Sequence, residues 1–248
     1  MNRNNSEVLE NPNPYIFRAA DEASNLAKLL ARNIPELVPS QHSAATMEEL
    51  RRDGQIGSIP KHRMVEFNQN FFIRNYFKCA YVLGKLAPIA GFSDGDVITD
   101  VGAGAGTFTL ACIRNNKMIM RHRIIERSEY QIATTSRIFS HLKIPCDAQL
   151  EHREIHVGSE PMSSDSVVLA SYSLGEVIAQ HGISCLRVFD NAKSLLVIDH
   201  GGVVEQVAGY FRTQGKATLL DFDRLTTPSI LGQFIWQEAL NVSHAYIF

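Results

Sequence analysis

The stretch Val97-Ile-Thr-Asp-Val-Gly-Ala-Gly-Ala-Gly-Thr107 decides the reading of this chain. An apolar run closes on Asp100, glycines follow at 102, 104 and 106, and Thr107 opens a helix-like segment that runs to Ile113. Glycines at this spacing let a strand turn tightly into a helix and leave bare backbone for a ligand to lie against. The pattern predicts a binder of a nucleotide-type cofactor.

Beyond this turn, short apolar runs rich in branched residues alternate with helix-like segments. The runs are Val97–Val101, Arg123–Glu126, Ala148–Ile155, Ser166–Ser171 and Ser194–Asp199. The helical segments are Thr107–Arg114, Glu129–Leu142, Gly175–Asp190 and Val203–Thr213. Such alternation predicts a parallel sheet wound with helices. Two more strand candidates, Ala217–Phe222 and Val242–Phe248, follow, separated by a segment that holds Trp236. Before the turn, the spacing of Ala19, Ala23, Leu26, Leu29 and Leu30 predicts an amphipathic helix from Tyr15 to Ile34, stopped by Pro35. A short helix over Thr46–Arg52 and a long one over Lys61–Leu86 come next. The expected division is a loose tail (1–13), a helical cap (14–92) that acts as a substrate lid, and an α/β core (93–248).

The 248-residue chain is 45% apolar and 20% charged, an ordinary globular composition. Its net charge of -2 gives no global basic field towards nucleic acid or an anionic membrane. Cys79, Cys112, Cys146 and Cys185 lie far apart in sequence, which predicts free thiols and no metal site. The first residues lack an apolar leader, and no run of about eighteen apolar residues occurs. A cytoplasmic protein with no membrane contact is expected.

Glu126 closes the run Ile124-Ile125, where an acid at a strand tip can accept hydrogen bonds from both hydroxyls of a ribose. A third landmark is the run from Asp165 to Val177, whose apolar strand ends at Ser171 and Tyr172 just before a helix. Ligands of doubly wound sheets sit outside the carboxyl ends of the strands. Ser171, Tyr172 and Glu176 should therefore face the same crevice as Gly104 and Glu126.

In order, D-V-G-A-G-A-G-T, I-I-E-R-S, S-V-V-L-A-S-Y-S-L-G-E-V and L-L-V-I-D-H-G-G resemble the class I S-adenosylmethionine-dependent methyltransferases over residues 94 to 202. The resemblance implies a Rossmann-like seven-stranded sheet, with Val242–Phe248 as an antiparallel strand inserted beside Ala217–Phe222. It implies that Gly102, Gly104 and Gly106 pass under the amino-acid part of S-adenosyl-L-methionine, that Glu126 holds the ribose, and that Ala103 and Arg127 also bind the cofactor. Glu154 would approach the adenine amino group, with Ser171 and Tyr172 on the same wall. Asp100 would orient either the glycine loop or the cofactor's ammonium. A hydride-transfer reading is disfavoured, because the third glycine comes one residue early for the dinucleotide fingerprint and no separate substrate domain follows.

A narrower likeness joins Ser171-Tyr-Ser-Leu-Gly-Glu176, Glu126-Arg-Ser128 and the preceding aromatic helix to the methyltransferase-like proteins of the small ribosomal subunit. That group carries a cysteine cluster late in the chain, whereas here no cysteine follows Cys185.

Met64, Phe67, Phe71, Phe77 and Leu83, with Phe72, Tyr76 and Tyr81 beside them, are read first as a helix face packed on the sheet domain, one end of which could roof the cofactor. Arg63 and Arg74 are candidate carboxylate partners, with solvated surface arginines as the alternative. Arg114, Lys117, Arg121, Arg123 and Arg127 form a basic group that reads as a solvated edge rather than a phosphate track.

Methyl transfer from a sulfonium needs binding, alignment and, for a hydroxyl or protonated amine, removal of a proton. His200 has the pKa class suited to a general base near neutrality, Tyr172 is placed to align the acceptor, and Glu176 is a further catalytic candidate. The expected activity is methylation of a small-molecule acceptor, such as a specialised metabolite. An RNA methyltransferase or ribosome-assembly factor is the second reading, and a non-catalytic cofactor-binding partner protein the third. A homodimer is left open.

Overall fold

The computed structural model describes residues 13–38, 49–50, 59, 61–90, 92–93, 95–115, 121–144, 147–235 and 239–248. Helices α1 (Pro14–Asn33) and α2 (Met64–Leu86) come before the first strand, β1 (Val97–Val101). Then follow α3 (Thr107–Asn115), β2 (Arg121–Glu126), α4 (Glu129–Leu142), β3 (Asp147–His152), β4 (Ser166–Ser171) and α5 (Leu174–His181). The chain ends with β5 (Ser194–Asp199), α6 (Gly201–Thr213), β6 (Thr218–Thr226) and β7 (Ala239–Ile247).

The seven strands form one sheet in the order β3-β2-β1-β4-β5-β7-β6. The first five pair in parallel, while β7 runs antiparallel to both β5 and β6. Strand order reverses between β1 and β4, and a crevice opens at the carboxyl ends of the strands at such a reversal.

Side chains alternate across the sheet because successive residues of a strand point to opposite faces. Val167 and Leu169 join an apolar core with α1, α2 and α3, while Val168 and Ala170 join the core formed by α5 and α6. Burial on both faces explains why these strands read as continuous apolar runs. Tyr76, Phe77 and Tyr81 of α2 sit in the first core with Ile98 and Leu196, so the N-terminal helices share a core with the sheet. The aromatic residues of α2 therefore split. These three and Phe72 pack, whereas Phe67 and Phe71 stack on each other at 4.8 Å along the crevice. Farther along α2, Lys85 Nζ lies 2.5 Å from Asp221 Oδ2 and 2.9 Å from Asp223 Oδ2, tying the helix to β6.

Several boundaries differ from the sequence reading. The helix expected over Gly175–Asp190 breaks at Gly182, whose φ of 74° ends α5, and a 3-10 turn, Ile183–Phe189, continues from there. The third strand stops at His152, three residues short of Ile155, so Glu154 lies on a loop. The last two strands are longer than expected because each extends the hairpin ladder with the other. Residues 1–12, most of the helix read over Thr46–Arg52, Lys117, Cys146 and Trp236 lie outside the described residues.

Cys79, Cys112 and Cys185 are buried free thiols, and no metal-binding group occurs among the described residues. The basic group disperses into separate ion pairs: Arg121 faces Asp165, Arg123 pairs with Glu151, and Arg127 meets Glu154 and Glu176. Among the described residues no helix is long and apolar enough to cross a membrane.

Candidate active site

The three glycines of the turn all have positive φ, but they meet different surroundings. A Cβ on Gly102 would stand 2.3 Å from Ser173 Cβ, and one on Gly106 would stand 2.7 Å from Thr135 Cγ2. Gly104 faces open space, with nothing within 4 Å of such a Cβ. Gly102 thus admits the loop after β4, Gly106 admits α4, and Gly104 leaves the crevice clear. Gly102, Ala103 and Gly104 line that crevice; Gly106 is not on its wall.

Glu126 holds the turn from the neighbouring strand. Its Oε2 accepts the Gly104 N–H and its Oε1 accepts the Ser128 N–H, both at 2.8 Å. Burial pushes its carboxyl above the ordinary range, against the pull of these backbone donors. Asp100 bonds neither the glycines nor the crevice but the helix that follows them. Its Oδ2 accepts from Thr109 N at 2.9 Å and Thr109 Oγ1 at 2.7 Å, which clamps the start of α3 to the strand end. Full burial raises its carboxyl to about 6, and the residue is on the wall of neither cavity described below.

Two adjoining cavities lie over the strand ends. The first, of about 190 Å3, is bounded by the glycine turn, Glu126, Arg127, Glu154, Ser171 and the start of α2. The second, of about 920 Å3, is bounded by α2, the start of α6 and the β6–β7 hairpin. Phe67, Phe71, Asn75, Tyr172 and Glu176 line both, so the cavities share a wall.

Tyr172 stands at that wall with a φ of 55°, a strained conformation for a residue with a side chain. Its N–H donates to Ile198 O at 2.8 Å, and its hydroxyl accepts from Lys78 Nζ at 2.9 Å. Burial pushes the phenol far above its usual range. The His200 ring meets the Tyr172 ring edge-on at 5.8 Å, inside the larger cavity, while the His200 backbone starts α6. Glu176 is held by Arg127 and by Gln180 Nε2 at 2.9 Å. Arg127 Nη1 also reaches Glu154 at 3.6 Å, so this arginine bridges two walls of the smaller cavity. Ser171 Oγ lies 3.7 Å from Cys79 Sγ. Of the two arginines singled out in the sequence, Arg63 pairs with Glu66 and Glu49, and Arg74 lines the larger cavity.

Four residues at the site escape the sequence reading. Ser173 Oγ donates to Val101 O at 2.8 Å, joining the loop after β4 to the end of β1. Asn68 and Gln131 exchange two amide hydrogen bonds, each of 3.0 Å, joining α2 to α4 beside the crevice. Lys78 is buried at the Tyr172 hydroxyl. Only Lys78 leaves a sequence trace: it continues the helical stripe Phe67, Phe71, Arg74, but that spacing cannot report burial.

No family model matches this chain, and no curated protein matches it by sequence. Solved structures do match. The magnesium protoporphyrin IX methyltransferase of Synechocystis aligns with a TM-score of 0.52 at 10% identity, covering 84% of this chain and 99% of its own. A precorrin-6y C5,15-methyltransferase from Geobacter metallireducens aligns at 0.51 with 13% identity, covering 68% and 86%. A SAM-dependent methyltransferase from Aquifex aeolicus aligns at 0.50 with 13% identity, covering 81% and 98%. With its strand order, its glycine turn and Glu126 at the tip of β2, this chain has the fold of the class I S-adenosylmethionine-dependent methyltransferases.

Proposed function

We propose that this protein transfers a methyl group from S-adenosyl-L-methionine to a small-molecule acceptor. The observation that carries the reading is the pair of cavities that share Tyr172 and Glu176: one lies along the glycine turn and Glu126, the other is bordered by α2 and the β6–β7 hairpin. The residues fit the cofactor. Gly104 leaves open space beside the buried Glu126 carboxylate, whose fixed oxygens suit a diol. Gly102, Ala103 and Gly104 would run under the amino-acid part, Glu126 would hold the ribose, and Arg127, Glu154 and Ser171 would border the rest. When bound, the cofactor supplies an electrophilic methyl on a sulfonium.

The chain's own residues then align the acceptor and handle its proton. Tyr172 acts as an aligning group rather than a base, since a phenol of ordinary pKa about 10 is protonated at neutral pH and burial raises it further. Glu176, held by Arg127, stiffens the shared wall. His200 is the general base for acceptors that need one, since it lies in the acceptor cavity against the Tyr172 ring. The α2 helix supplies one wall of the acceptor cavity. A near-neutral net charge and dispersed arginines favour a small acceptor over RNA.

Calorimetric titration with S-adenosylmethionine, S-adenosylhomocysteine and NAD tests the central point. Both sulfur ligands should bind the wild type and NAD should not. The Glu126→Gln variant should bind S-adenosylhomocysteine at least about tenfold more weakly, one lost charge-assisted contact. Absence of binding by both sulfur ligands refutes the reading.

A further inference from the structure

The larger cavity has a polar recess at the start of α6, where Gly201 and the β7 residue Ser243 both line its wall. In the sheet Ser243 stands between Asp199 of β5 and Phe222 of β6, which line the same cavity. Ser243 is only 9% exposed, yet its hydroxyl has no hydrogen-bond partner among the described residues. A hydroxyl so withdrawn from water is ordinarily bonded. It faces the helix start: a Cβ on Gly201 would stand 3.6 Å from Ser243 Oγ and 3.4 Å from Phe222 Cε1. Helix α6 begins without a side-chain cap. Asp199 accepts the His200 N–H at 2.8 Å, but the Gly201 N–H that follows has no partner among the described residues. A hydroxyl and a backbone N–H thus border one recess, and the missing side chain of Gly201 keeps the space beside them clear.

We infer that this recess seats an uncharged carbonyl oxygen of the acceptor, to which Ser243 Oγ and the Gly201 N–H donate. The inference rests on the methyl-transfer reading above and names the acceptor's chemical class. A carbonyl oxygen has two lone pairs and can accept from both donors. An anion is a poorer occupant, because the buried Asp199 is the neighbour of Ser243 across the ladder and like charges at that range repel. Nor does the cavity favour one sign: Arg74, Lys78 and Arg224 on its walls are matched by Glu176, Asp199 and Asp223. A hydrocarbon would leave both donors without a partner.

The test titrates three probes of one shape into the protein, with and without saturating S-adenosylhomocysteine: 2-acetylnaphthalene, its alkene counterpart 2-isopropenylnaphthalene, and 2-naphthoate. The ketone should bind about fivefold or more tightly than the alkene, and more tightly than the anion. Ser243→Ala should erase most of the preference for ketone over alkene while S-adenosylhomocysteine affinity stays at the wild-type level. Gly201→Ala, whose methyl enters the recess at ordinary contact distances, should lower the same preference. In thermal melts without any acceptor, Ser243→Ala should unfold no earlier than the wild type, since an unpartnered hydroxyl holds no element in place. An earlier melt assigns the hydroxyl a structural role and overturns the inference. So does undetectable binding of the ketone, equal binding of ketone and alkene, tighter binding of the anion, or a preference that survives Ser243→Ala. Failure of S-adenosylhomocysteine to bind overturns the methyl-transfer reading instead, while the probe ranking on the protein alone still decides what the recess takes.

Discussion

Asn68 on α2 and Gln131 on α4 hold each other through two amide hydrogen bonds of 3.0 Å, both side chains being buried. This pair fastens the N-terminal helix to the element that follows Glu126. Asn68→Ala leaves the Gln131 amide buried without its partner, which should cost about 1–3 kcal/mol. Gln131→Ala should cost a similar amount, and the double variant less than the sum of the two, by about 0.5–3 kcal/mol. Urea unfolding of the four proteins measures the cycle, and strict additivity would show that the pair is not coupled.

Glycines 102 and 104 should separate folding from binding. Gly102→Ala drives a methyl into Ser173 at a backbone angle that disfavours any side chain, so a loss of about 2–4 kcal/mol is expected. Gly104→Ala meets only the angle penalty, about 1–2 kcal/mol, and should fold while binding S-adenosylhomocysteine more weakly. Thermal melts set beside calorimetry distinguish the two, and the prediction fails if Gly102→Ala is the milder change in the melts.

Asp100 gives a pH dependence of known sign. Burial raises its folded pKa from 3.8 to about 6, so its protonated form is favoured in the native state. The resulting contribution is fully present below pH 3.8 and is lost as pH rises to about 6, roughly 3 kcal/mol in all. Relative to Asp100→Asn, the wild type should gain stability as pH falls from 7 towards 4. A pH-independent difference between the two unfolding free energies would contradict this.

His122, buried on β2, should act in the opposite sense. Burial lowers its pKa from 6.5 to about 4, so its neutral form is favoured when folded. That contribution is present above pH 6.5 and is lost as pH falls to about 4, again roughly 3 kcal/mol. His122→Val should therefore resist acid better than the wild type over this window, as followed by circular dichroism at stepped pH.

Most strand positions were legible because strands buried on both faces leave continuous apolar runs, as in Ser166–Ser171 and Ser194–Asp199. The run at β3 misled because it borders the sheet edge, where polar residues intrude and an apolar count overshoots the ladder. The break at Gly182 was hidden because isolated glycine is tolerated within helices, and only its positive φ identifies it as a stop.

The sequence by itself determined the glycine turn and the strands and helices around it. A glycine turn between strand and helix, and an acid one strand later, are local features whose chemistry follows from spacing. Only the tertiary structure decided what surrounds them. Asp100 faces Thr109, Gly106 faces Thr135, and Lys78 reaches Tyr172 across 94 residues of chain. Such partners come from different elements, and no periodicity within one element encodes which partner burial will bring against it. For the same reason the larger cavity, built from α2, the start of α6 and the closing hairpin, emerges only once those elements are packed together.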